Sequence, residues 1–313
     1  MIKLLKRGAV CAAACLFTLP ASSEQLVRFA VFADLQEATD AGHQRDLALV
    51  DEINKANPEF SVFVGDLQGG APCTDQQRNE AIELFERMEG PVVYVPGDNE
   101  WVDCNLPGKG DWEPLERLEK LRRDLVPVGV SLGQNPMPIT QQEGEYRENS
   151  RWSKGGVVFV TLHMPGGNNG VYPDRYAYDE FERRNAANVA WLKAAYDEVA
   201  ETGAKGLVVM FHGNPGWGDI YWKATAYRDV KSLLAREGEE LGVPILAIHG
   251  DTHTFTIDKP LKFKDGRTRA DHLTRLEVFG APERGFHIVT ADTDNPELFS
   301  FTSVETEPNA PRK

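Results

Sequence analysis

The sequence predicts an α/β protein in which two β-sheets pack face to face with helices outside. Three observations carry this. Residues 26–124 alternate β-branched or aromatic runs with stretches whose apolar residues recur at helical spacing, the order that builds a parallel sheet with crossover helices. The alternation resumes between residues 157 and 248. After Thr254 helical periodicity ends, and short strands follow one another.

The elements follow in order. Residues 26–33 read as a buried strand, and residues 45–56 carry Leu47, Val50 and Ile53 on one helical face. Residues 60–64 form a strand and 75–89 a helix with Ile82, Phe85 and Met88 inward. Residues 92–95 form a strand that stops at Pro96-Gly97. Residues 113–124 form a helix whose stripe is Leu115, Leu118 and Leu121. A buried strand at 157–162 is followed by Gly166-Gly-Asn-Asn-Gly170, which has the composition of a flexible loop. A helix at 185–201 buries Val189, Leu192 and Tyr196; then come a strand at 207–211, a helix at 223–236 and a strand at 245–248. Strands at 255–257, 274–278, 287–290 and 298–302 complete the chain.

The first 23 residues have the pattern of a secretory signal peptide. Lys3, Lys6 and Arg7 precede a short apolar run, and Ala21 and Ser23 suit cleavage before Glu24. Cys15 after three alanines leaves lipidation as an alternative. Nothing later is apolar enough to cross a bilayer. Residues 24–313 then form a single domain, exported to the periplasm or secreted. Cleavage removes three basic and no acidic residues, taking the net charge from −14 to −17. Such a surface repels nucleic acid and anionic membranes at long range, but it does not exclude an anionic substrate, because bound divalent ions can invert the local field. Cys73 and Cys104 remain after cleavage. An oxidising compartment favours a bridge between them, and two buried thiols are the alternative.

Five segments carry the chemistry: Ala33-Asp34-Leu35-Gln36, Gly65-Asp66, Gly97-Asp98-Asn99-Glu100, Phe211-His212-Gly213 and His249-Gly250-Asp251-Thr252-His253. Each closes an apolar strand, where ligands of open α/β sheets bind. Four carboxylates gathered at one pole repel one another unless cations neutralise them. With imidazoles beside them they suit a two-metal centre. Asp34, Asp66 and Asp98 lie 32 residues apart in succession, one strand–helix unit each.

This ordered set resembles the motifs of the calcineurin-like metallophosphoesterases, over residues 26 to 256. The resemblance implies an αββα sandwich of the metallophosphoesterase type and hydrolysis of a phosphomonoester or phosphodiester by a water activated between two metals. By that likeness Asp34 and His253 hold the first metal, Asp66 bridges, and His212 holds the second. Gln36, Asp98 and Asp251 occupy further ligand positions, although the family has His, Asn and His there. Asn99 stands where the family has the His that assists leaving-group departure. The added carboxylates favour Mn, Mg, Ca or Fe over Zn. Proton donation by a positioned acid is worth about 10²–10⁴-fold, so a replacement is sought. His163, before the Gly/Asn loop, is the preferred candidate; His249 and His43 are others. The alternative function is a degenerate relative that binds metal or a phosphorylated ligand without turnover.

Overall fold

The computed structural model describes residues 26–35, 39–69, 72–171, 178–217, 226–262 and 269–307. The expected signal peptide and Gln36 lie outside these residues. Among them, no helix is long and apolar enough to cross a membrane.

The first sheet has the order β12-β11-β1-β2-β3. Strands β1 (Leu26–Phe32), β2 (Phe60–Val64) and β3 (Val92–Val95) run parallel, and β11 (Arg284–Asp292) and β12 (Phe299–Glu307) add antiparallel on the β1 side. The second sheet has the order β4-β5-β6-β7-β8-β10-β9. Its parallel centre is β6 (Val157–Thr161), β7 (Gly206–Met210), β8 (Ile245–His249) and β10 (Leu273–Glu277). Strands β4 (Thr140–Gln141), β5 (Ser150–Lys154) and β9 (Thr256–Asp258) flank it antiparallel. The late strands therefore divide between the two sheets instead of forming a layer of their own.

Parallel neighbours need crossovers, and helices supply them. On the first sheet these are α1 (Asp40–Ala56) and α2 (Asp75–Arg87), and α3 (Pro114–Leu125), which leads on to the second sheet, packs beside them. On the second they are α5 (Tyr178–Thr202) and α6 (Arg228–Leu241), preceded by a single turn, α4 (Gly166–Asn169). Local chemistry sets the ends. Thr39 caps α1 through Gly42 N, and Thr74 with Gln77 forms a full capping box on α2. Helix α6 begins later than residue 223 and runs to Leu241, where left-handed Gly242 stops it. The α3 stripe is shifted by one position: Leu115 is exposed, and Leu118, Leu121 and Leu125 are buried.

Three apolar layers result. The central one joins the two sheets, and here Phe29 and Phe60 from the first sheet meet Phe159 and Trp152 from the second. Phe60 stacks on Phe29 at 5.1 Å and meets Phe159 edge-on at 5.1 Å. Such pairs add about 0.5–1.5 kcal/mol each beyond area burial. The outer layers pack α1–α3 on one sheet and α5–α6 on the other. This is an αββα sandwich in which the carboxyl ends of β1, β2, β3, β7 and β8 meet at one pole.

Candidate metal centre

Each of the five strands ends in a polar side chain at that pole. Asp34 follows β1, Asp66 follows β2, Asp98 follows β3, His212 follows β7, and Asp251 and His253 follow β8. Asp34, Asp66 and His212 are almost wholly buried. The backbone is bent to place them: φ is 57° at Asp34, 62° at Asp66, 79° at Asp251 and 55° at His253. Non-glycine residues in this left-handed region cost of order 1–3 kcal/mol each, a strain that concentrates at functional sites. Gly65, at φ 90°, lets the chain pass the His212 ring, which a Cβ there would strike.

Ligand atoms of Asp34, Asp66 and His212 all lie within 4.8 Å of one another, and so do those of Asp98, His212 and Asp251. Two oxygens or nitrogens on one divalent ion stand at most about 4–5 Å apart, given bonds of about 2.0–2.6 Å. Both groups therefore fit a cation. His212 Nδ1 faces Val64 O at 2.7 Å, and donation there leaves Nε2 as the outward atom. That Nε2 lies 3.2 Å from Asp66 Oδ1 and 3.1 Å from Asp98 Oδ1, and no hydrogen bond satisfies it. Asp34 Oδ2 is a second buried atom without a hydrogen-bond partner. His253 repeats the arrangement: Nδ1 meets Ala281 O at 2.7 Å and Nε2 stands 3.5 Å from Asp34 Oδ1. Holding the far ring nitrogen on a carbonyl is how ligating histidines are oriented.

The electrostatics point the same way. Burial, reinforced by Asp66 and Asp251, drives the Asp34 carboxyl well above its ordinary range, although His212 opposes this. Burial and then Asp98 push Asp251 up to about 6, again against His212. Burial alone would lower the His212 pKa, but Asp66, Asp98 and Asp34 raise it well above the usual imidazole value. A proton between nitrogen and carboxylates answers the same excess of negative charge that a cation would.

Around the ligands a second set of contacts fixes their orientation. Asn99 donates to Asp66 through its backbone N at 3.2 Å and through Nδ2 at 2.6 Å. Glu100 Oε1 accepts from Asp66 N at 3.1 Å, Gly97 N at 2.9 Å and Tyr94 OH at 3.0 Å. Burial and Asp66 push Glu100 up to about 8. Gly166 N donates to Asp98 Oδ1 at 3.1 Å, Asn214 N to Asp251 Oδ2 at 2.7 Å and Asp251 N to Asp34 Oδ1 at 3.2 Å. Thr252 Oγ1 and Thr254 N both donate to buried Glu277, which anchors the loop bearing Asp251 and His253.

The structure thus brings together Asp34, Asp66, Asp98, His212, Asp251 and His253. The grouping departs from the expected division, because His212 belongs to both three-ligand groups. Asn99 holds Asp66 instead of offering a proton. His163 does not face the solvent side of the pole. It is fully buried, with Nδ1 2.6 Å from Glu148 Oε1 and its ring against Trp101 at 5.2 Å. Burial lowers its pKa, although Glu148 opposes this. The Gly/Asn segment after it forms the single turn α4, with left-handed Gly167 and Asn168 inside it, Gly166 and Asn169 buried, and Arg184 bonded to Asn169 Oδ1 at 2.6 Å. The other histidines lie in structural surroundings. His249 is buried, stacked on Phe211, and accepts from Trp217 Nε1 at 2.9 Å. His43 pairs with Glu83 at 3.1 Å, His272 Nε2 meets Leu234 O at 2.8 Å, and His287 stacks on Phe279. Sequence reasoning missed Asn214, Gly166 and Glu277 as supports; two act through backbone N–H groups, which no residue type announces.

Cys73 and Cys104 form a disulfide with an S–S distance of 2.01 Å. Its sulfurs lie 3.2 and 3.7 Å from Asn99 O, which ties the cross-link to the third ligand loop.

No family model matches this sequence, and no curated protein sequence matches it. Solved structures share its fold. One is GAP50, the anchor in the inner membrane complex of Plasmodium, at 13% identity and a TM-score of 0.51 over 90% of this chain and 89% of that one. A dimetal phosphatase from Danio rerio gives 11% and 0.50, over 90% of this chain and 99% of that one. PhoD gives 10% and 0.51, over 93% of this chain and 73% of that one. The chain therefore has a fold of the metallophosphoesterase type.

Proposed function

We propose that this chain is an exported, metal-dependent phosphoesterase acting on a small phosphorylated substrate. Residues 24–313 form its single domain once residues 1–23 are removed. The carrying observation is the pair of three-ligand groups that share His212, with buried Nε2 of His212 and Oδ2 of Asp34 left without hydrogen-bond partners. Asp34, Asp66 and His253 would hold one cation and Asp98, Asp251 and His212 the other, with the Asp66 carboxylate available to both. Bound there, two divalent ions supply Lewis-acid polarisation of a phosphoryl oxygen and lower the pKa of a water. The chain's own part is positional. Asn99 and Glu100 lock Asp66, Gly166 locks Asp98, and Asn214 locks Asp251. The oxygen-rich donor set favours Mn, Mg, Ca or Fe over Zn. The disulfide fits an oxidising compartment.

A second reading has its own support. Asn99 cannot donate a leaving-group proton to a phosphate ester, and His163 is enclosed with Glu148. A protein that binds metal and a phosphorylated ligand without turnover fits these two facts. A screen of chromogenic phosphate mono- and diesters with Mn²⁺, Mg²⁺, Ca²⁺ and Zn²⁺ separates the readings. Hydrolysis that falls by about 10³-fold in Asp66→Asn, a loss of several kcal/mol, supports the enzyme. Metal and phosphate binding with no hydrolysis of any ester supports the binder. Hydrolysis unchanged in Asp66→Asn removes the centre from the reaction.

A further inference from the structure

The position that lacks an acid holds a device of another kind. Asn99 uses both ends of its amide. Nδ2 donates to Asp66 Oδ2 at 2.6 Å, and Oδ1 accepts from Lys109 Nζ at 3.3 Å. Only this orientation works, because the flipped amide would set carbonyl against carboxylate and NH₂ against ammonium. Asn99 therefore links a metal-ligand carboxylate to a lysine.

The lysine is placed by a braced segment. Cys73 N donates to Lys109 O at 2.8 Å, Lys109 N to Leu106 O at 3.0 Å and Trp112 N to Cys104 O at 2.9 Å. The Cys73–Cys104 bridge closes the base of this turn. Lys109 itself is half-buried, and its bond to Asn99 sets the ammonium beside the acidic pole. An ammonium has three donors; Asn99 takes one, and the nearby Asp103 carboxylate also feels its charge.

Resting on the phosphoesterase reading above, we infer that Lys109 holds an outer phosphoryl oxygen and selects a phosphomonoester dianion over a phosphodiester monoanion. A phosphomonoester loses its second proton near pH 6, at a pKa of about 6. It therefore carries one more negative charge than a diester at neutral pH. A cation beyond those held by the carboxylates matches that extra charge. Lysine suits the task as a point-charge phosphate binder.

The test uses the full mature chain loaded with Mn²⁺, as wild type, Lys109→Gln and Lys109→Arg. Inorganic phosphate binding is measured by calorimetry. Hydrolysis is measured on p-nitrophenyl phosphate and bis-p-nitrophenyl phosphate. Lys109→Gln weakens phosphate binding and lowers monoester kcat/KM by about 10–100-fold, the worth of one charge-assisted hydrogen bond. Its effect on the diester stays under about threefold, and Lys109→Arg restores most of the loss. Metal content and Tm match wild type in both variants. Equal losses on both esters, or unchanged phosphate binding, overturn the inference. The outcomes separate the two levels. Turnover with no Lys109 effect keeps the phosphoesterase and discards Lys109's role. No turnover, with phosphate binding weakened by Lys109→Gln, does the reverse. Neither turnover nor phosphate binding discards both.

Discussion

Two buried clusters in this molecule use the same residue types and reach opposite electrical states. At the pole, Asp34, Asp66, Asp98 and Asp251 surround His212 and His253. Behind α4, Glu148 and Glu180 surround His163, but each has its own guanidinium. Arg122 grips Glu148 with two bonds of 2.7 and 3.0 Å, and Arg184 meets Glu180 at 2.8 Å. Burial would raise the Glu148 pKa, yet His163 and Arg122 hold it down to about 2. Asp34 is equally buried and is pushed the other way, well above its ordinary range. The cluster behind α4 is neutralised by arginines, whereas among the described residues the carboxylates of the pole pair only with histidines. Burial of carboxylates is thus no signature of function by itself; burial without an internal counter-charge is.

The widest gap between the two clusters should appear on chelation. Stripping divalent ions lowers ester hydrolysis by about 10³-fold, the scale of several kcal/mol of charge stabilisation. Adding back Mn²⁺ restores it. Arg122→Met tests the other cluster. It leaves Glu148 buried without its cation and costs about 3–5 kcal/mol in urea unfolding. The metal stoichiometry of the folded protein stays unchanged. Metal lost in Arg122→Met would show that the two clusters form one unit.

The same contrast explains what could be read in advance. The parallel strands at 60–64 and 92–95 were legible to the residue, because continuous β-branched runs are bounded by turn signals. The ligand loops were legible because Asp and His recur at strand ends. Strand β5 was not, since Ser150-Arg-Trp-Ser-Lys154 turns one large apolar side chain inward and reads as loop. The role of α4 was hidden for a different reason. Two glycines and two asparagines promise mobility, but Arg184, distant in sequence, pins Asn169. Lys109 gave no signal, since its partner is chosen by the disulfide-closed turn. The even 32-residue spacing pointed to Asp34, Asp66 and Asp98, which the fold gathers at one pole; the contacts that hold them depend on tertiary structure that no local pattern encodes.

Acid should dissolve the cluster behind α4 in two stages. Burial lowers the His163 pKa, so the unfolded chain binds its proton first, and stability falls as pH drops below the ordinary imidazole range. Glu148 follows. Its stabilisation is complete above 4.5, the unfolded value, and is lost as pH falls through about 2. That span corresponds to about 3 kcal/mol at roughly 1.4 kcal/mol per pH unit. Urea midpoints between pH 5 and 2 should therefore fall less steeply in Glu148→Gln than in wild type. Equal slopes would mean that Glu148 is not held ionised by Arg122 and His163.

The smallest effect has the most telling sign. Asp34→Asn keeps the shape of the side chain, and its Oδ1 can still accept from Asp251 N, which stands 3.2 Å away in the wild type. It removes one of the mutually repelling charges around His212. In chelated protein this substitution should raise stability by roughly 1–2 kcal/mol, against the usual direction of a buried substitution. With Mn²⁺ present the order reverses, because wild type gains binding free energy that the variant forfeits. Thermal unfolding of both proteins with chelator and with Mn²⁺ shows whether the curves cross. If Asp34→Asn is the weaker protein in both conditions, the chain satisfies Asp34 by itself, and the pole is no different in kind from the cluster behind α4.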